Sequence, residues 1–358
     1  MSEFDEYRPP QEPRRYGKKK RGKRKRRGAG AVDGSKEERM AEDFEFSSYY
    51  GKPVVKAPPW EWPIGAYLFL GGLSGGSALL AAGAQATGNR ALRRSTRLTA
   101  FTAASAGSVF LIMDLGRPER LLNMFRVFKV TSPMSIGSWI LGAFASSAAL
   151  PALVEADDLV GGVLPGRRLV AAAAGPAGVL AGLLGGPLAG YTAVLLANTS
   201  NPTWNDARRH LPYVFVSSAA AASAGAAMVF TPVHSAGPAR SLGMGAAVSD
   251  LTATRIMEDH MEPEPKRPLH QGVPGTLMRA SEWLIAAGGV GTAVAAVTKS
   301  RAVSVASGLA LMAGSACTRF GVLNAGREAV KDPSTTIGPQ KRRAQARGDL
   351  STSVVTGG

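Results

Sequence analysis

One cysteine and four histidines are the whole stock of thiol and imidazole ligands in this 358-residue chain. Cys317 alone cannot close an intramolecular disulfide. It also cannot supply the several thiolates that an iron–sulfur cluster or a structural zinc requires. A packed thiol within an apolar helix is the expected state. The histidines, His210, His234, His260 and His270, fall at the ends of apolar runs or between them. A haem held between helices needs facing axial histidines inside the bilayer, so the sequence argues against a cytochrome b type of anchor, and no haem or metal is expected in this chain. No cleavable signal peptide is expected either, since the first apolar run begins only near Ile64. Arg14 and Arg15 are followed by no short apolar stretch of the kind a twin-arginine signal needs.

Charge is the next thing missing, and it is missing locally. The formal net charge is +16 and the mean hydropathy +0.01, values that suit a basic soluble protein. That average mixes two basic ends with an uncharged middle. Aspartate, glutamate, lysine and arginine are absent from Trp62 to Asn89, Leu98 to Met113, Val130 to Val154, Leu169 to Asn205 and Leu211 to Ala239. They are absent again from Trp283 to Val297 and from Ala302 to Thr318. A helix crosses the hydrocarbon region with about 20 mostly apolar residues. Soluble cores of this size show short strands or helices with charged faces, and these runs show neither.

The pattern predicts an all-α polytopic membrane protein of eight transmembrane helices, with disordered basic tails. The spans are expected near 64–86, 96–115, 134–154, 168–196, 211–232, 239–257, 277–298 and 302–321. The sixth is the weakest, because it carries Asp250 and Arg255. Pro176 and Pro187 should bend or break the fourth. Residues 1–58 form the expected amino-terminal tail, 59–325 the membrane domain, and 326–358 a basic carboxy-terminal tail. Runs such as "GGLSGGSALLAAG" supply the small residues that let helices approach closely in lipid.

The amino-terminal run "RRYGKKKRGKRKRR", Arg14 to Arg27, has eleven bases and no acid. It reads as a solvated cytoplasmic tail attracted to anionic membrane lipid, and no nucleic-acid partner is expected beside so many spans. With eight spans both termini share a face. Basic loops and tails favour the cytoplasmic side for that face, although Arg90, Arg93, Arg94 and Arg97 weaken the contrast.

One polar stretch interrupts the apolar runs, "MDLGRPERLLNMFRVFKVTSPMSIGSW" from Met113 to Trp139. Asp114 should end the second span, and Pro118 open a short amphipathic helix in the interface. Ser132 is a helix cap with Pro133 at the first helical position, so "SPMS" aims a donor-rich helix start at the interface. Met134, Ile136 and Trp139 would wall a polar pocket there. An aspartate, an arginine and a capping serine also suffice merely to end one helix and begin the next. Ionisable groups at the edge of hydrocarbon are costly, however, and often mark sites.

At these residues the chain resembles the NrfD/polysulfide reductase membrane-subunit family. "DLGRPERLLNMF" followed by "SPMSIGSWIL" carries the likeness. "YLFLGGLSGGSALL", "GYTAVLLANTSNPTWNDARRHLPYVFVSSA" and "AGREAVKDPSTTIGPQKRR" follow it in order, over roughly residues 60–345. The resemblance implies that the eight helices form two four-helix bundles, near 60–200 and 205–322, and that the chain is a quinone-reactive membrane subunit binding menaquinone or another quinone in the first bundle. It implies docking to a ferredoxin-like four-cluster iron–sulfur subunit, itself joined to a molybdopterin-type catalytic subunit. Asp114 would handle protons, with Arg117 holding it charged or reading a headgroup oxygen, while Tyr67, Ser132, Met134, Ser135, Trp139 and Tyr191 would line the quinone site. In the second half Asp250, Glu282 and Arg319 read either as a proton route or as groups paired to hold the helices. A membrane transporter or channel is the competing class, and its mark would be broken helices with polar residues at the midplane.

Overall fold

A computed structural model describes residues 53–115 and 118–347. Most of the expected amino-terminal tail lies outside the described residues. Among those described the protein is all α-helical, with no strand. Eleven helices follow in order: α1 Trp62–Ala86, α2 Arg90–Asp114, α3 Pro133–Leu159, α4 Arg167–Ala197, α5 Pro202–Asp206, α6 Leu211–Phe230, α7 Gly237–Asp259, α8 Pro263–Lys266, α9 Gly272–Thr298, α10 Arg301–Ala329 and α11 Ser334–Arg347. A 3₁₀ helix, Pro118–Phe125, joins α2 to α3 where a short amphipathic helix was expected.

Seven of these, α1, α2, α3, α4, α6, α9 and α10, are long and apolar enough to cross a membrane. The expectation was eight. The difference is α7, long enough at 23 residues but loaded with Arg240, Asp250, Arg255, Glu258 and Asp259. Side-chain caps open several helices, with Ser132 the one that the sequence suggested. Asn89 accepts from Leu92 N at 3.2 Å, Ser132 from Ser135 N at 3.4 Å, and Ser300 from Val303 N at 3.5 Å.

Helix α1 is the most enclosed span, with 72% of its apolar stretch buried, and packs against α2, α4, α6 and α10. Small residues make this possible. A Cβ on Gly75 would sit 2.4 Å from the Gly185 carbonyl oxygen of α4, and one on Gly185 would sit 2.4 Å from that of Gly75. Gly225 of α6 and Gly308 of α10 repeat the arrangement, with a Cβ on Gly225 reaching 2.4 Å from the Gly308 oxygen. Without a hydrophobic drive between helices in lipid, such backbone contact is what packing has to offer.

Helix α4 runs unbroken from Arg167 to Ala197 through both Pro176 and Pro187. The expected local break does not occur, because unpaired backbone beyond the one bond a proline removes is expensive in hydrocarbon.

The short helices gather on one face with α11. Asn201 donates to the Gly326 carbonyl at 2.8 Å, Trp204 Nε1 to that of Val322 at 2.8 Å, and Thr203 to that of Pro265 at 2.7 Å. Trp204 is fully buried and stacks on Trp60 at 5.5 Å. Residues 334–347, expected as part of a disordered tail, are helical. The reason is local: Thr335 and Pro339 are buried, and Arg342 binds both Glu262 and Glu264 beside α8. Arg343 adds a 3.4 Å contact to Glu262.

The Arg342 hydrogen bonds hold the Glu264 carboxyl down at about 2, well below its ordinary 4.5. A depressed carboxylate contributes to docking above its unfolded value and loses that contribution as the pH falls through the folded one. Protection of α11 amides against hydrogen exchange should therefore hold from neutral pH to about 4.5 and fall between 4.5 and 2. Glu264→Gln should show the lowered protection already at neutral pH. Protection unchanged down to pH 2 would show that α11 is held by other contacts.

Candidate functional site

The polar stretch between α2 and α3 is stitched to the first turns of α3. Ser135 Oγ donates to the Val127 carbonyl at 3.0 Å and accepts from Lys129 N at 3.1 Å. Phe125 and Phe128 meet the Trp139 ring edge-on, with centroids 5.8 and 6.0 Å apart. Phe125 lies over Gly142, where a Cβ would come within 2.8 Å of the ring. Ser132, Ser135 and Trp139 thus shape this segment. The side chain of Met134 is exposed, and Asp114 is buried at the end of α2. Arg117 lies outside the described residues.

Two tyrosines meet deeper in. Tyr67 of α1 and Tyr191 of α4 hydrogen-bond through their hydroxyls, and either can donate. Tyr67 is buried at 2% exposure, against Gly107 of α2. Tyr191 lies flat on Gly137 of α3, where a Cβ would be 2.1 Å from the ring. One hydrogen bond between two phenols uses one of the two O–H groups, so a second donor remains available to a third partner.

Tyr191 is also the polar end of a cavity of about 610 Å³. Its walls come from the "SPMS" approach and from the end of α4: Val130, Thr131, Pro133 and Ile136 on one side, Val194 and Ala197 on the other. Asn198 and Arg208 complete the rim. Arg208 is held by a 2.9 Å bond to the Asn205 carbonyl. A mostly apolar chamber of several hundred Å³ with a few polar groups is the usual form of a small-molecule site.

The structure brings only some of the expected residues together. Tyr67 and Tyr191 come together, and Tyr191 lines the cavity. Ser132, Met134, Ser135, Trp139 and Asp114 flank this end of the helices without lining it. Asn198 and Arg208 were not singled out. Their signal was present in "ANTSNPTWNDARRH", where a polar run directly follows a span, but Arg208 counted only as loop charge.

In the second half, Arg319 is fully buried on α10. Its Nη2 donates to the Phe215 carbonyl of α6 at 2.5 Å, and its guanidinium stands 3.9 Å over the Phe215 ring. Gly72 of α1 leaves it room. Asp250 of α7 is buried and feels the Arg319 charge, whereas Glu282, expected to be buried, is exposed. A hydroxyl pair Ser218–Ser315 at 2.8 Å also joins α6 to α10, and Ser281–Thr318 at 2.6 Å joins α9 to α10. Arg319 therefore acts as a stitch between α10 and α6.

Replacing Gly137 by alanine should drive the Tyr191 ring off its seat, break the Tyr67–Tyr191 bond and narrow the cavity. Overpacking of this kind costs about 1–3 kcal/mol, so the thermal midpoint in detergent should drop by several degrees. Gly71→Ala, with nothing within 4 Å of its Cβ, is the control and should leave the midpoint in place. Equal midpoints for both variants would show that Tyr191 is not seated on Gly137.

Comparison with known proteins gives one result on this chain's kinship. The family model described as "Polysulphide reductase, NrfD" matches residues 53–238, which takes in the tyrosine pair, the "SPMS" segment and the cavity. No curated protein matches the chain.

Proposed function

Because the chain belongs to the NrfD polysulphide reductase family of membrane proteins, we propose that it is the quinone-reactive membrane subunit of a respiratory oxidoreductase complex. The observation that carries this reading is the Tyr67–Tyr191 pair ending a mostly apolar cavity at the mouth of α3 and α4. The cavity volume suits a substituted ring with the start of its tail. A quinone, when bound, supplies two-electron, two-proton redox chemistry. In this reading Tyr67 donates to Tyr191, and Tyr191 turns its remaining O–H into the cavity toward a carbonyl oxygen. Arg208 presents fixed positive charge at the rim. Asp114, at the same end of the helices, exchanges protons with that end, and Arg117 belongs beside it in sequence.

The same reading counts α7 as an eighth span, giving α1–α4 and α6, α7, α9 and α10 as two groups of four. At about 1.5 Å per residue its 23 residues reach across the hydrocarbon core. Its charges cluster toward its ends, and the mid-helix Asp250 is buried among protein. Both termini then lie on the face that collects Arg126, Lys129, Arg208, Arg209, Lys341 and Arg343, read as cytoplasmic in a prokaryotic plasma membrane. The partners proposed are a ferredoxin-like four-cluster iron–sulfur subunit and, through it, a molybdopterin-type catalytic subunit. A transporter is disfavoured because the unbroken α4 removes the one feature that pointed to it.

Binding of a quinone analogue to the purified protein tests this. Tyr191→Phe should weaken binding about fivefold to tenfold, the worth of one hydrogen bond. Asp114→Asn should leave the protein inserted with its partner docked and abolish quinol-linked turnover. An analogue that binds the wild type and Tyr191→Phe equally would remove the tyrosine pair from the site. Full turnover in Asp114→Asn would remove that carboxylate from the chemistry.

A further inference from the structure

At the opposite end of the first helices three α2 arginines, Arg93, Arg94 and Arg97, share Glu155, while Asp157, also buried, and Asp158 are taken by Arg167. Glu155 of α3, 1% exposed, receives Arg93 Nε and Arg97 Nη1 on the same oxygen, both at 2.9 Å. Arg97 is itself buried and spends Nη2 on Gln85 at 2.6 Å. Arg94 reaches only the other oxygen, at 3.5 Å, and its side chain is 45% exposed. Arg90, four residues earlier on the same face of α2, has no ion pair among the described residues. Like charges at this spacing repel on a helix surface. Arg90 thus has no counter-charge among the described residues, and Arg94 has only the third and longest share of Glu155, at 3.5 Å.

Beside Arg94 lies a groove of about 420 Å³ between α2 and the end of α6. Its α2 wall is one helical stripe, Ala91, Arg94, Leu98 and Thr102, with Ser95 and Thr99 next to it. Phe230 and Pro232 form the other wall. The hydroxyls of this stripe are already engaged: Ser95 with Thr231 at 2.6 Å, Thr99 with the Ser95 carbonyl at 2.8 Å, and Thr102 with the Leu98 carbonyl at 2.8 Å. Below Arg94 the groove thus presents methyl groups and rings. From Ala91 to Thr102 it runs about 16 Å along the helix, roughly half the hydrocarbon thickness of a bilayer. Arg301 fixes the far wall by donating to the Met228, Val229 and Thr231 carbonyls at the end of α6, at 3.0, 2.5 and 2.7 Å.

We propose that this groove binds one anionic glycerophospholipid, its headgroup phosphate on Arg94 and Arg90 and one acyl chain along the α2 stripe. The charge excess selects the phosphate and a net negative headgroup. The one-leaflet length of the apolar groove selects a chain anchored at that interface. Because Arg94 is the loosest of the three guanidiniums on Glu155, it can turn to a phosphate while Arg93 and Arg97 keep the carboxylate compensated. The site is on the face opposite the tyrosine cavity, and it needs only that the chain spans a membrane.

The test is lipid retention by the full-length protein, counted by native mass spectrometry after delipidation and addition of phosphatidylglycerol or phosphatidylcholine. Wild type should keep one phosphatidylglycerol in preference to phosphatidylcholine. The double variant Arg90→Gln/Arg94→Gln should bind it at least about tenfold more weakly, as expected for losing two basic side chains at a membrane surface. Arg126→Gln, at the other end of α2, should not change retention. Thr102→Phe fills the groove without touching a charge and should also reduce retention, so the idea stays testable if the arginine variant fails to fold. Equal retention of the two lipids, or of phosphatidylglycerol by wild type and Thr102→Phe, would overturn the proposal. Displacement of the lipid by inorganic phosphate alone would reduce the site to an anion contact and overturn it too.

Discussion

Backbone-to-backbone contact at glycine sets the geometry on which everything else rests. Where Gly75 meets Gly185 and Gly225 meets Gly308, no side chain separates the helices, and any Cβ would strike a carbonyl oxygen. Those crossings bring α1 close to α4 and α6 close to α10. With α1 and α4 so close, Tyr67 and Tyr191 can reach across and join hydroxyls. With α6 and α10 so close, Arg319 can lie under Phe215 and still find its carbonyl. Lipid offers no apolar penalty to drive helices together, so the match of small surfaces must do so.

The two ends of the first helices use charge differently. At the tyrosine end, most of the cavity wall is apolar and polar side chains are few: one phenol, one threonine, one amide and Arg208 at the rim. At the other end, Arg93, Arg94 and Arg97 crowd a single glutamate, and Gln85 ties the most buried of them to α1. A buried carboxylate so surrounded is compensated several times over, which is the only condition under which charge at that depth is tolerable. The surplus then faces the bilayer surface, where anionic headgroups are the available counter-charge.

The helices were legible from the absence of charge alone. Each expected span falls on a helix, with starts and stops near Trp62, Pro133, Leu211 and Arg301 because prolines and capping serines mark them locally. Membrane-crossing character was harder at α7, where charges toward both ends and one buried aspartate blur the pattern. The site was legible only in part. Tyr67 and Tyr191 could be picked out as isolated polar rings in apolar runs, but nothing local says that they touch, since they are 124 residues apart. Ser135 and Trp139 were taken for lining residues because they sit in the distinctive segment. Their neighbours decide otherwise: Val127 and Lys129 occupy the serine, and Phe125 and Phe128 occupy the indole. The helicity of 334–347 was hidden for a similar reason, since Arg342 finds its glutamates about 80 residues earlier.

The short helix α5 links the two halves in a way that bears on how the protein is made. Asn201 and Trp204 close onto the carbonyls of Gly326 and Val322, which follow them by 125 and 118 residues. During synthesis those carbonyls emerge long after α1 to α4 have left the ribosome. Until α10 arrives, Trp204 has Trp60 against one ring face but no acceptor for its indole N–H. Only α11, which docks on α5 and α8, closes later, and a nascent chain halted before residue 322 would expose an indole N–H and an amide that insertion factors could grip.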